Sequence, residues 1–416
     1  MEKLKPAYVM TACLAPLFLA ALVSCRLEGR EHGAPRSAIE SAHEDAARAI
    51  AATMSAGEKV GQLLFIDLWT DEGEPVRELS DSRAAALGEL GPGGVVFYGA
   101  NLKNPAQIRE LMHSISQAVR IPPFLAVDHE GGTVNRLDDS GEIAATDMPA
   151  AAVIGRTGDP EYAYRAGRVM GRELASLGFN MNFAPVADVL SAPDSMIGTR
   201  SFGSDPTLVA GMVRMAVTGL QETGVCAVLK HFPGHGGASG DTHSGFVYLD
   251  REIEELVSRE LVPFAAGVEA GADGGMAGHI ILGAPGAGGA PAALSRELLT
   301  GLLRERLGFS RLIITDSLTM KALAGVERPA VDALRAGADM LLTPGDGREA
   351  KSQILAALAD GSLSLERIEE SVRRIIRIKL ERGIGEGRPE TSLDVLGCPE
   401  HRQVAEEIQR FHSSGE

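Results

Sequence analysis

Eight short apolar runs, each cut off by Gly, Pro or Asp, recur along this chain with helix-like segments between them. No other feature narrows the fold so far. The runs read as strands at LLFIDL (63–68), GGVVFYG (93–99), PFLAVD (123–128), MNFAP (181–185), CAVLKH (226–231), GGMAGH (274–279), LIITDS (312–317) and DMLLTP (339–344). Between them lie periodic, capped helical stretches such as DPEYAYRAGRVMGRELASLG (159–178). Another, DREIEELVSRELVPFAAGVEAG (250–271), reads as one helix with a charged first turn and a closing Gly271. Strand–helix alternation repeated eight times predicts an α/β chain folded as a single (β/α)8 TIM-type barrel. A doubly wound sheet is the second choice, and eight parallel strands suit it less well. No internal repeat or coiled-coil heptad is visible.

The barrel reading carries its own test, because barrel enzymes place their chemistry at the C-terminal ends of the strands. Asp128 ends the third run, Lys230 and His231 the fifth, His279 the sixth and Asp316 the seventh. Residues scattered through core and surface would not line up in this way. Long glycine-rich loops follow, at 128–147, 190–204, 232–249 and 283–294. Such loops in a compact domain are more often functional than idle.

The N-terminus reads as a targeting device. MEKLK is basic, an apolar run extends from Ala7 to Val23, and LVSC at 22–25 resembles the bacterial lipobox, which makes Cys25 the expected lipidation site. The bland alternative is an uncleaved anchor with an incidental cysteine. The expected organisation is a signal peptide at 1–24, a polar tether at 25–36, the barrel at 37–385 and a short helical tail at 386–416, with no second α/β domain. Beyond the lipidation site, Cys226 and Cys398 are two lone cysteines and make no disulfide framework. A net charge of −16 argues against nucleic acid and against anionic membrane surface as partners, since both demand basic patches.

The most chemically loaded segment is KHFPGHGGASGDTHSG (230–245). A zinc site on His231, His235 and His243 with Asp241 is one reading, but the spacing is not helical and glycine-rich loops hold ligands poorly. A phosphate cradle fits less well, because the loop runs into FVYLD and not into a helix. Asp241 and His243 together suggest a carboxylate that favours a protonated imidazole, a proton donor near neutral pH. The plain alternative is a loop carboxylate capping nearby N–H groups beside a solvated histidine. Asp316, at the end of the apolar strand of IITDSLTM (313–320), is costly there unless it faces a site. A carboxylate nucleophile and a proton donor across one barrel mouth are the parts of a retaining glycosidase. Asp128 can accept from sugar hydroxyls, and Arg136, Arg200, Lys230 and His231 can donate to them.

These segments resemble glycoside hydrolase family 3, and within it the bacterial β-N-acetylhexosaminidase branch. The resemblance rests on VDHEGGTVNRL (127–137), GTRSFGSDP (198–206), KHFPGHG (230–236) with SGDTH (239–243), and PAALSRELLTGLLRERLGFSRLIITDSLTM (291–320), and it covers about residues 50–380. His129 stands where the family commonly has glutamine. The resemblance implies Asp316 as nucleophile of a covalent glycosyl-enzyme and His243, assisted by Asp241, as acid/base. It implies Asp128, Arg136, Arg200, Lys230 and His231 as the holders of a non-reducing N-acetylglucosamine, with no cofactor. His235 is expected to order the glycine-rich turn, and His279 either touches substrate or is merely packed. Gly234, Gly236 and Gly237 are expected to give the loop the freedom to fold over the sugar as a lid. An imidazole base does not repel an incoming anion, so phosphate stays open beside water as acceptor. An export signal sets the chain apart from cytoplasmic recycling relatives and points to peptidoglycan fragments, chitin oligosaccharides or host glycans. The rival from another class is an inactive barrel that binds sugar as a surface lipoprotein. Asp71–Glu72 is the nearest adjacent carboxylate pair for a substrate-assisted mechanism, with no supporting feature around it.

Overall fold

The computed structural model describes residues 36–69, 73–137, 141–192, 195–238, 245, 247–284, 289–385 and 391–411. Cys25, the signal segment, Asp71–Glu72, Asp241 and His243 lie outside the described residues.

All eight apolar runs form strands: β1 Leu64–Ile66, β2 Gly94–Phe97, β3 Phe124–Val127, β4 Met181–Asn182, β5 Cys226–Phe232, β6 Gly274–Ala277, β7 Leu312–Thr315 and β8 Leu341–Leu342. They pair in the order β7-β6-β5-β4-β3-β2-β1-β8, every pair parallel. A parallel bridge between Ile314 and Met340 joins β7 to β8 and closes the ring. Parallel neighbours need crossover connections, and the helices supply them on the outside. β2, β3, β5, β6 and β7 are buried along their whole length, which is why they read as unbroken apolar runs and not as alternating ones.

The helix expected at 159–178 spans Pro160–Leu177. The Asp159 side chain accepts from the Glu161 N–H at 3.0 Å, and Gly178 ends the helix at φ +103°. The single helix expected at 250–271 is instead two, Ile253–Ser258 and Val262–Glu269. Pro263 has no N–H to continue a helical ladder, and between the two helices Glu260 turns fully into the interior, where Ser191 Oγ donates to it at 3.3 Å.

The N-terminal end of the barrel is sealed by buried ion pairs. Asp339, just ahead of β8, accepts from Arg374 at 3.1 Å and Ser371 at 2.7 Å, and pairs with Arg304. Asp273, just ahead of β6, pairs with Arg382 at 2.6 Å. Arg374 and Ser371 belong to the helix Leu365–Glu381. With that end closed, the opposite mouth is left for chemistry. The tail returns to the barrel as helix Pro399–Gln409, whose Ala405 and Ile408 join the one hydrophobic core. Cys226 is buried in that core, as its apolar run suggests. Among the described residues no helix is long and apolar enough to cross a membrane.

Candidate active site

β3 and β5 deliver the central cluster. Lys230 is 1% exposed and reaches across from β5 to Asp128, which directly follows β3, at 2.6 Å. The same ammonium donates to Glu130 at 2.5 Å. Arg200 grips Glu130 with two parallel bonds, Nε at 2.8 Å and Nη2 at 2.7 Å. Burial alone would raise the Glu130 carboxyl, but Lys230 and Arg200 outweigh it and hold it at about 2. Burial likewise works against the Lys230 ammonium, and Asp128 and Glu130 overcome it and push its pKa above the ordinary lysine value. Both cations therefore stay charged and fixed in place at the barrel mouth, with donors to spare beyond those Glu130 takes.

His231 is set by a second buried carboxylate. Asp188 takes the ring Nδ1 at 2.8 Å and the His231 main-chain N–H at 3.2 Å. A carboxylate acceptor there puts the proton on Nδ1 and leaves Nε2, 3.4 Å from Arg200 Nη2, facing the cluster. Asp188 also accepts the His235 main-chain N–H at 2.6 Å. Burial would raise the Asp188 carboxyl; His231 and His235 hold it below the usual carboxylate range. His235 thus orders the glycine-rich turn through its backbone, as expected, while its ring meets that of His231 edge-on at 5.9 Å between centroids.

Asp316 follows β7 and is half-buried. Its N–H donates to the Ala277 carbonyl of β6 at 2.8 Å, and its Oδ1 accepts the Ser317 N–H at 2.7 Å. Burial raises this carboxyl, yet His279, His231, the Ser317 N–H and Lys230 together hold it below the ordinary value. It is ionised at neutral pH, as a nucleophile must be. His279 is fully buried and its Nε2–H donates to the Ser317 carbonyl at 2.8 Å. That bond fixes the turn that carries Asp316 and answers the choice left open by the sequence: His279 is packed behind the carboxylate.

Gly234, Gly236 and Gly237 do something other than loosen a lid. A Cβ on Gly236 would lie 2.1 Å from the Val189 carbonyl oxygen, and one on Gly237 would lie 2.6 Å from Ser191 Oγ. Gly234 sits at φ +123° with Glu260 Cβ 2.8 Å from where its own Cβ would be. These three positions need glycine for close approach and backbone geometry, so the first half of the loop is pinned.

Sequence reasoning passed over Glu130 and Asp188, and it also missed Asp67 and Tyr98. Asp67 follows β1 half-buried, and burial raises its carboxyl. Burial, then Asp67, Asp128 and Asp316, push the Tyr98 phenol above its ordinary value, while Arg136 pulls the other way. Tyr98 therefore stands among all four charged groups. Its ring packs on Trp69, 6.1 Å between centroids, and Trp69 is 38% exposed. Arg136 is half-buried, and its Nε makes no hydrogen bond. The strand-end rule that picked out Asp128 and Asp316 applies equally to Asp67. Glu130 was in plain view within VDHEGG. Among the described residues no group of three or more His, Cys, Asp or Glu side chains is arranged to hold a metal ion.

A (β/α)8 barrel with an ionised, half-buried carboxylate at one strand end and a fixed set of cations and carboxylates beside it is the frame of an enzyme that binds polyhydroxylated substrates. The chain belongs to glycosyl hydrolase family 3: the model of the "Glycosyl hydrolase family 3 N terminal domain" matches residues 55–378. It is 31% identical over 412 residues to beta-hexosaminidase A of Pseudoalteromonas piscicida, covering 89% of this chain and 68% of that protein. It is 35% identical over 335 residues to a beta-hexosaminidase of Methylococcus capsulatus, covering 78% of this chain and 93% of the relative. Among solved structures, a glycoside hydrolase family 3 beta-N-acetylglucosaminidase from a Paenibacillus species superposes with a TM-score of 0.80 at 35% identity, covering 86% of this chain and 69% of that one.

Proposed function

We propose that this protein is a retaining β-N-acetylhexosaminidase that removes non-reducing terminal β-linked N-acetylglucosamine from peptidoglycan fragments or chitin-type oligosaccharides. The observation that carries the reading is Asp316, held ionised at the end of β7 within electrostatic reach of Lys230 and His231. Hexosaminidase relatives that align with most of the chain support the glycosidase activity. In this reading the Asp316 carboxylate attacks the anomeric carbon as the glycosidic C–O bond breaks, giving a covalent glycosyl-enzyme. His243, assisted by Asp241, protonates the leaving oxygen and then takes a proton from the incoming water. Asp128, Arg136, Arg200, Lys230 and His231 hold the hydroxyls of the sugar. Export and lipidation at Cys25 place the substrate in the cell envelope, with the lipid as the membrane partner.

The test is release of an aryl leaving group from a β-N-acetylglucosaminide by the full chain, beside Asp316→Asn and with a β-glucoside as control. Turnover of the acetylated sugar, with kcat lowered by roughly 10³-fold or more in the variant, is expected. Folded protein that turns over neither sugar at neutral pH would sink the assignment.

A further inference from the structure

The C-terminal segment meets the back of the substrate-binding loop through one buried carboxylate. Glu173, on the helix Pro160–Leu177, is 1% exposed and collects four bonds. Its Oε1 accepts from His401 Nδ1 at 2.8 Å, from the Gly397 N–H at 3.0 Å and from Thr146 Oγ1 at 2.7 Å. Its Oε2 accepts the Thr146 N–H at 2.8 Å. Two of these donors come from the tail and two from the loop that precedes helix Ala151–Arg156. The approach is close: Gly397 sits at φ +53°, and a Cβ there would lie 2.3 Å from the Ala144 carbonyl oxygen.

From Thr146 the contacts continue toward the sugar cluster. Two residues on, the Met148 carbonyl accepts the Gly132 N–H at 2.8 Å. Gly131, at φ +85°, lies so near that a Cβ would come within 2.8 Å of the Pro149 carbonyl oxygen. Gly131 ends the short strand His129–Gly131, which pairs antiparallel with Val134–Asn135. That hairpin holds Glu130, the partner of Lys230 and Arg200, and leads into Arg136.

We infer that the C-terminal segment is a positioning element for the reaction: His401 and the Gly397 amide act through Glu173 and Thr146 to fix the loop that carries Glu130 and Arg136. His401 touches no reacting atom. A displaced hairpin would weaken the hold on the sugar alike in ground state and transition state, which raises KM more than it lowers kcat. A tail that only adds stability would lower the melting temperature and leave KM alone.

The inference rests on the proposed sugar site, so the experiment separates the two. Full-length protein, His401→Leu and His401→Asn are compared in three measurements: kinetics on the aryl β-N-acetylglucosaminide, melting temperature, and amide hydrogen exchange across 129–150. In His401→Leu we expect KM to rise roughly tenfold with kcat changed less than about threefold, and faster exchange in that loop. In His401→Asn the amide N–H stands where Nδ1–H stood and can still reach Glu173, and KM should return most of the way. Thr146→Val, which removes only the hydroxyl contact, should move KM in the same direction and decides the matter if His401→Leu does not fold. A lowered melting temperature with KM and loop exchange both unchanged would overturn the inference. If the unaltered protein turned over no acetylated sugar, the functional reading would fall, and exchange in the loop would still decide whether the tail orders it.

Discussion

His129 offers the sharpest quantitative test of the site's construction. It lies fully buried between Asp128 and Glu130, and neither ring nitrogen has a hydrogen-bond partner. Burial lowers its pKa from 6.5 to about 4, against the pull of Glu173 and Glu130. In the unfolded chain the same imidazole takes up a proton below about 6.5. Between these two values the unfolded state binds more protons, so stability rises with pH across that window and is lost as pH falls through it. The full penalty, reached below pH 4, is about 3 kcal/mol. Between pH 7 and pH 5 the loss is about 2 kcal/mol, before most carboxylates begin to titrate. His129→Leu replaces the ring with an apolar group and removes this dependence. Urea unfolding of both proteins at pH 7 and pH 5 gives the measurement, with other titrating groups cancelling in the difference. The variant should gain about 2 kcal/mol relative to the native protein on moving to pH 5. If the difference between the two proteins is the same at both pH values, His129 is not the buried neutral base described here.

Three further substitutions probe the same mouth. Glu130→Gln leaves Lys230 and Arg200 buried with too little negative charge, and should lower stability by roughly 3–5 kcal/mol in urea unfolding at pH 7; a loss under about 1 kcal/mol would show that Glu130 does not hold the pair. Gly236→Ala drives a methyl into the Val189 carbonyl and should destabilise by about 1–3 kcal/mol, whereas Gly245→Ala, with open space around it, should stay within about 0.5 kcal/mol. Equal effects from the two would restore the view of these glycines as interchangeable hinge residues.

The strands and the carboxylate at the end of β7 were legible because they depend on local pattern. A parallel barrel strand is buried on both faces, so each of the eight appears as a short apolar run, and a carboxylate such as Asp316 stands out at its end. The break in the 250–271 helix was harder to read, because Glu260 looks like any other charged helix residue until Ser191 is folded against it in the interior. Glu130 and Asp188 escaped for the same reason. A carboxylate becomes the keystone of a site only when Lys230 and Arg200, 100 and 70 positions away, are folded onto it. Gly234, Gly236 and Gly237 looked like freedom, and their tight packing against Glu260, Val189 and Ser191 shows close approach instead. What the sequence determined alone was periodicity: the barrel, its strand ends and the identity of the groups placed there. What tertiary structure decided was pairing, since which charge meets which, and whether His129, Glu173 or His401 is buried, depends on contacts between segments far apart in the chain.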